Sequence, residues 1–209
     1  MDSISIIRKG KFGTFYSALK RASGKKTSSN FILNDLIEVF VYFKFLFDQV
    51  DEICVFTKSL DYLLSIYDNA VAKYKDVTSD QYTVLQNCGH SLENFIENEN
   101  NSIKVIFMND MNKGIAKSDF LEKIINIVLS KNTMQFRQLS PELSFVEGMD
   151  FFILVPQYNM VYTAQEIDDK KWNVCYFRNN ALYENAKEIF RCFSKLSEAK
   201  KVEEICRWI

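Results

Sequence analysis

The chain has 209 residues, 47% of them hydrophobic and 25% charged, with a formal net charge of −1. A folded domain of ordinary size has this make-up, and at this length burial of roughly 70% of the unfolded surface supplies a core without disulfide or metal staples. Two prolines and six glycines exclude collagen-like, linker-rich and low-complexity chains.

Phe12, Phe15, Tyr16, Leu19 and Ala22 recur at helical spacing and predict a short amphipathic helix. The same stretch is basic. Arg8, Lys9, Lys11, Lys20, Arg21, Lys25 and Lys26 stand against Asp2 alone, so residues 1–30 carry a net +6 and the remainder −7. Such an arm on an acidic body can bind nucleic acid or another polyanion by neutralising phosphate, the alternative being a solvated helix and loop that its charges keep wet. After the loop Ser23-Gly24-Lys25-Lys26-Thr27-Ser28-Ser29, a second helix is predicted over 30–48, apolar nearly all round. The two helices do not make a helix-turn-helix motif, because that loop is too long and the second helix lacks a polar recognition face. Asn34, Asp35, Glu38 and Lys44 interrupt the apolar run. A charge at the centre of a membrane span costs about 2.5–3.5 kcal/mol, so the helix is expected to be buried in protein and no membrane contact is expected. Phe40, Tyr42, Phe43, Phe45 and Phe47 exceed what one face of a monomer's core takes up. A homodimer interface on Phe40, Phe43 and Phe47 is therefore expected. Residues 1–50 read as an N-terminal helical segment and 51–209 as an α/β domain.

Beyond Glu52 the period changes. Glu52 to Thr57 is a short apolar strand, and Leu60, Leu63, Leu64, Tyr67, Val71 and Tyr74 mark a helix. Another helix is predicted over 79–98, opened by a capping box of Thr78 and Gln81. Ile103 to Met108 is a second buried strand, and a helix over 118–130 follows with Ser118 as its cap. Strands are predicted at Thr133 to Leu139, Phe151 to Val155, Met160 to Ala164 and Trp172 to Phe177. A helix over 180–196 and a short helix ending in Trp208-Ile209 close the chain. Early βα alternation favours a parallel sheet core with helices on both faces, extended by the later strands. The expected class is α/β, a mixed sheet flanked by helices.

Three stretches of this order resemble one half-module of the phospholipase D-like fold, over about residues 50–198. Phe120 to Glu142 (FLEKIINIVLSKNTMQFRQLSPE) looks like the helix and following strand of that superfamily. MDFFILVPQYNMVYTA, from Met149, looks like the hairpin carrying its catalytic motif, and NNALYENAKEIFRCFSKL, from Asn179, like its closing helix. The resemblance implies a two-copy assembly around His-x-Lys-x4-Asp, in which the histidine attacks a phosphodiester, the lysine neutralises phosphate and the aspartate orients a histidine. The hairpin register places Asp150, Phe152 and Gln157 at those positions, none of them the required residue. A degenerate, non-catalytic member is implied, kept for homodimerisation and for docking a partner protein or nucleic acid.

Other chemistry has little to stand on. Cys54, Cys88, Cys175, Cys192 and Cys206 are odd in number and lack zinc or redox spacing, which suggests a reducing cytoplasm. Residues 1–11 are mixed polar and basic, unlike a secretory signal. The one histidine, His90, is two helical positions from Cys88, roughly 200° around the axis, so the two do not form a dyad. No phosphate-cradling glycine motif occurs, and neither a cofactor nor a metal is expected. Asp110 at a strand's carboxyl end, together with Asp150, is the candidate pair for the enzymatic alternative, a metal-dependent nuclease or phosphoryl-transfer enzyme. A composition rich in Asn, Lys, Ile and Phe is typical of AT-rich microbial and mobile-element genomes. It points to an accessory role in bacterial antiviral defence or a mobile element.

Overall fold

The computed structural model describes residues 32–33, 36–57, 59–74, 79–108, 118–131, 133–140, 151–168, 171–178 and 180–208. In chain order the elements begin with β1 (Ile32–Leu33), α1 (Leu36–Gln49), β2 (Glu52–Thr57), α2 (Leu60–Tyr74), α3 (Ser79–Glu97) and β3 (Ser102–Phe107). They continue with α4 (Asp119–Lys131), β4 (Met134–Gln138), β5 (Phe151–Val155), a 3-10 turn (Pro156–Tyr158) and β6 (Met160–Asp168). The last are β7 (Lys171–Arg178), α5 (Asn180–Leu196), β8 (Glu198–Lys200) and α6 (Val202–Trp208).

The strands form one eight-stranded mixed sheet in the order β1-β7-β6-β5-β2-β3-β4-β8. Its centre, β2 with β3 and β3 with β4, is parallel, and every other pairing is antiparallel. Expectation and structure differ at the start. Ile32 and Leu33, predicted to open a helix, pair instead with Cys175 and Val174 as an edge strand, and the helix begins at Leu36. An extended dipeptide has no period to read, and its pairing partner lies far away in sequence.

Alternation along the strands divides the interior in two. Ile53 and Val55, Ile103, Val105 and Phe107, Phe136, Phe151 and Ile153 face α1, α2, α3 and α4 in the larger core layer. Cys54, Phe56, Ile106, Phe152, Leu154, Val161 and Phe177 face the other way, against α5. That helix covers them with Tyr183, Ala186, Ile189, Phe190 and Phe193.

Local chemistry fixes several element ends. Ser118 caps α4, its Oγ accepting from the Leu121 N–H at 3.0 Å while donating to Asp68 at 2.7 Å. At the carboxyl end of α3, where helix carbonyls lose their partners, Asn101 Nδ2 donates to the Phe95 carbonyl and Thr133 Oγ1 to that of Ile96. The β5–β6 hairpin turns through Asn159 in the left-handed region, at φ 51°, where asparagine is tolerated. Thr78 of the predicted capping box lies outside the described residues.

Candidate functional site

Ligand sites of α/β sheets gather at the carboxyl ends of parallel strands. Here β2 ends at Thr57, directly beside Phe107 of β3 on one side and Phe151 of the oppositely running β5 on the other. Asp110 and Asp150 lie outside the described residues. Their described neighbours in sequence, Met108 and Phe151, stand at the same sheet edge on strands two positions apart, about 10 Å by strand spacing. The described part of that edge is mainly apolar. Met108, Leu139 and Phe151 are buried, and Thr57 donates its hydroxyl to the Ser59 carbonyl at 2.8 Å.

The resemblance of the hairpin sequence implies that Phe152 takes the register of a phosphate-binding lysine. Phe152 is 0% exposed. Its ring stacks on Phe56 at 5.2 Å between centroids and meets Phe190 edge-on at 6.5 Å, while Phe56 meets Phe193 at 5.0 Å. Such contacts add about 0.5–1.5 kcal/mol per pair to the burial itself. Gln157, at the register of the aspartate, sits in the 3-10 turn beyond the far end of β5. Its Oε1 accepts the Asp51 N–H at 3.3 Å.

A polar group that the sequence reading did not single out lies at the other end of the parallel strands. Parallel register sets Lys104 beside Cys54, and Lys104 Nζ reaches Glu52 Oε1 at 2.5 Å. The carboxylate holds the lysine above its ordinary pKa. Burial, reinforced by Glu52 beside it, pushes the Cys54 thiol up to about 12. A thiol so placed stays protonated and is no nucleophile. Both ion-pair partners are more than a third exposed, so the pair contributes little to stability. The signal for this group was one charge on each of two apolar strands, two register positions apart, readable only once their register is known.

Cys88 is buried and His90 exposed on opposite sides of α3, and His90 Nδ1 lies 3.6 Å from Glu93. Among the described residues no three His, Cys, Asp or Glu side chains gather as a metal site. Nor is any described helix long and apolar enough to cross a membrane. Arg8, Lys9, Lys11, Lys20, Arg21, Lys25 and Lys26 lie outside the described residues. On α1, Phe40 is 2% exposed within the larger layer, and Phe43 and Phe47 pack against that layer. The chain's own core accounts for all three. What α1 turns outward is Val41 and Phe45, 49% and 52% exposed.

No family model and no curated protein matches this sequence. Solved structures similar in shape include the following two. TrmBL2, an archaeal chromatin protein whose structure shows a novel mode of DNA binding, shares 9% identity at a TM-score of 0.46. The likeness covers 94% of this chain, and the chain spans 65% of that one. Nuc from Salmonella typhimurium, a phospholipase D family member, shares 11% identity at a TM-score of 0.43, over 82% of this chain and 99% of its own. Likenesses this distant say nothing about activity.

Proposed function

We propose that this chain is a non-catalytic, phospholipase D-like interaction module that homodimerises and docks a partner protein or nucleic acid. On this reading it is a cytoplasmic accessory component of a bacterial defence or mobile-element system. The observation that carries the reading is Phe152. A position that would have to offer a lysine to a phosphodiester is instead a fully buried ring stacked on Phe56. The basic arm supplies the binding end, with seven cations against one acid over residues 1–30. The outward pair Val41 and Phe45 supplies apolar surface for a second copy.

The test is a salt titration of binding to duplex DNA, with light scattering on the same sample. If all seven cations contact phosphate, log K against log salt has a slope of about −6. Neutralising Lys20, Arg21, Lys25 and Lys26 together flattens it. A dimer has a mass of about 49 kDa, twice 24.5 kDa. Binding that the neutralised variant retains in full, or a monomer at every concentration, overturns the corresponding half of the proposal.

One observation favours a second reading. The strands that lead to Asp110 and away from Asp150 end at one sheet edge. On this reading Asp110 and Asp150 together hold a magnesium or manganese ion for phosphoryl transfer. Metal-dependent cleavage abolished by Asp110→Ala or Asp150→Ala would establish it. Intact nucleic acid with either metal rejects it.

A further inference from the structure

A cavity of about 140 Å³ lies inside the larger core layer, between the sheet and helices α1, α2, α3 and α4. Its floor includes Val55, Val105 and Ile153, and its walls include Phe43, Leu92 and Phe120. Native interiors seldom keep voids larger than a water molecule. An apolar cavity of roughly 150 Å³ in another protein stays dry and takes up benzene. We infer that this cavity is a binding site for one small, uncharged, apolar molecule of single-ring size.

Three features support that chemistry. First, the walls offer little to water, which needs two to four polar partners to stay in a cavity. The Tyr67 hydroxyl, the main polar group there, already donates to the Leu85 carbonyl at 3.1 Å. Second, the cavity is propped open. Tyr67 packs on Phe120 with centroids 4.0 Å apart and ring planes tilted by 31°, and a Cβ at Gly89 would stand 2.5 Å from the Tyr67 hydroxyl oxygen. So α2, α3 and α4 already touch at that point and cannot close further. On the other flank the rings of Phe43, Phe47 and Phe95 follow one another at 6.4 and 5.8 Å, spacing α1 from α3. Third, ring edges and faces at such separations favour an aromatic guest. Among the described residues no cationic or anionic side chain lines the space, so an uncharged guest suits it.

The experiment is benzene titration of the full chain with isoleucine methyl groups labelled for NMR. The inference holds irrespective of whether the protein docks nucleic acid, since the methyls read this layer alone. Benzene is expected to shift the methyls of Ile53, Ile103, Ile124 and Ile153, which line the cavity, and to leave those of Ile106 and Ile189 on the opposite face of the sheet in place. Cys88→Leu, which fills the cavity from α3, should weaken benzene binding about tenfold or more, a change of about 1.4 kcal/mol. If that variant fails to fold, Val105→Ile adds a single methylene to the floor and should weaken binding in the same direction. No shift at saturating benzene, equal shifts on both faces, or undiminished binding in a folded filled variant overturns the inference.

Discussion

Gly89 sets two opposed effects against each other, and their magnitudes give the outcome. In a helix interior, alanine is favoured over glycine by about 1 kcal/mol, so propensity alone makes Gly89→Ala stabilising. The structure opposes it. The added Cβ would stand 2.5 Å from Tyr67 Oη, 2.9 Å from Tyr67 Cζ and 3.0 Å from Phe120 Cε2. The tyrosine ring is held by its close contact with the Phe120 ring and by its hydrogen bond to Leu85. It can swing into the neighbouring cavity only by giving up that bond, which costs about 1 kcal/mol. Overpacking of this kind costs about 1–3 kcal/mol. The net expectation is a loss of about 1–3 kcal/mol, read as a lower urea midpoint at unchanged slope. In a Tyr67→Phe background the nearest atom is gone, and Gly89→Ala should cost roughly 1 kcal/mol less. A Gly89→Ala protein more stable than wild type by about 1 kcal/mol would refute the close approach of these three helices.

Two further outcomes follow from burial. Phe152→Ala should lower stability by about 3–5 kcal/mol in urea unfolding, as for large core aromatics generally. A loss under about 1 kcal/mol would mean the ring is not packed as described, and would remove the main support for a non-catalytic module. The Cys54 and Cys88 thiols are both raised from 9.0 to about 12, burial being the first cause in each case. The folded state therefore holds these protons when the unfolded chain has released them. Their contribution is intact below pH 9 and is lost as pH rises from there towards 12. Urea midpoints across that range should fall less steeply in a Cys54→Ala, Cys88→Ala protein than in wild type, and identical slopes would contradict the burial of both thiols.

Elements with a strong local period were legible in the sequence. The helix over 180–196 was marked by Leu182, Ala186, Ile189, Phe190 and Phe193, and the unbroken apolar run Phe151 to Val155 fixed a central strand. Ser118 announced its helix because capping is local chemistry. The edge strands β1 and β8 were not legible, being two and three residues long and defined by partners far off, Cys175 for Ile32 and Arg137 for Ala199. On α1 the count of aromatics hid their spacing. Phe40, Phe43 and Phe47 fall on one face, the one packed on the core, and Val41 and Phe45 on another. The Glu52–Lys104 pair joins residues 52 apart and depends on strand register, and a cavity is a property of packing that no sequence window contains.

The two faces of the sheet depend on very different stretches of chain. Four described helices interleave with β2, β3 and β4 in sequence, so most of the larger layer assembles from near neighbours, with Phe151, Ile153 and Ile205 joining from farther along the chain. The aromatic layer around Phe56 and Phe152 is covered, among the described residues, by α5, whose Asn180–Leu196 follows β2 by more than half the chain length. Contacts of such separation form slowly, because the intervening loop must close first. Folding should thus pass through a stage in which one side of the sheet is protected and the other still wet. In the native protein, undocking of α5 alone would bare a continuous aromatic surface. Hydrogen exchange on α5 should accordingly report an opening of lower free energy than on α3, making this helix the weakest seal of the fold.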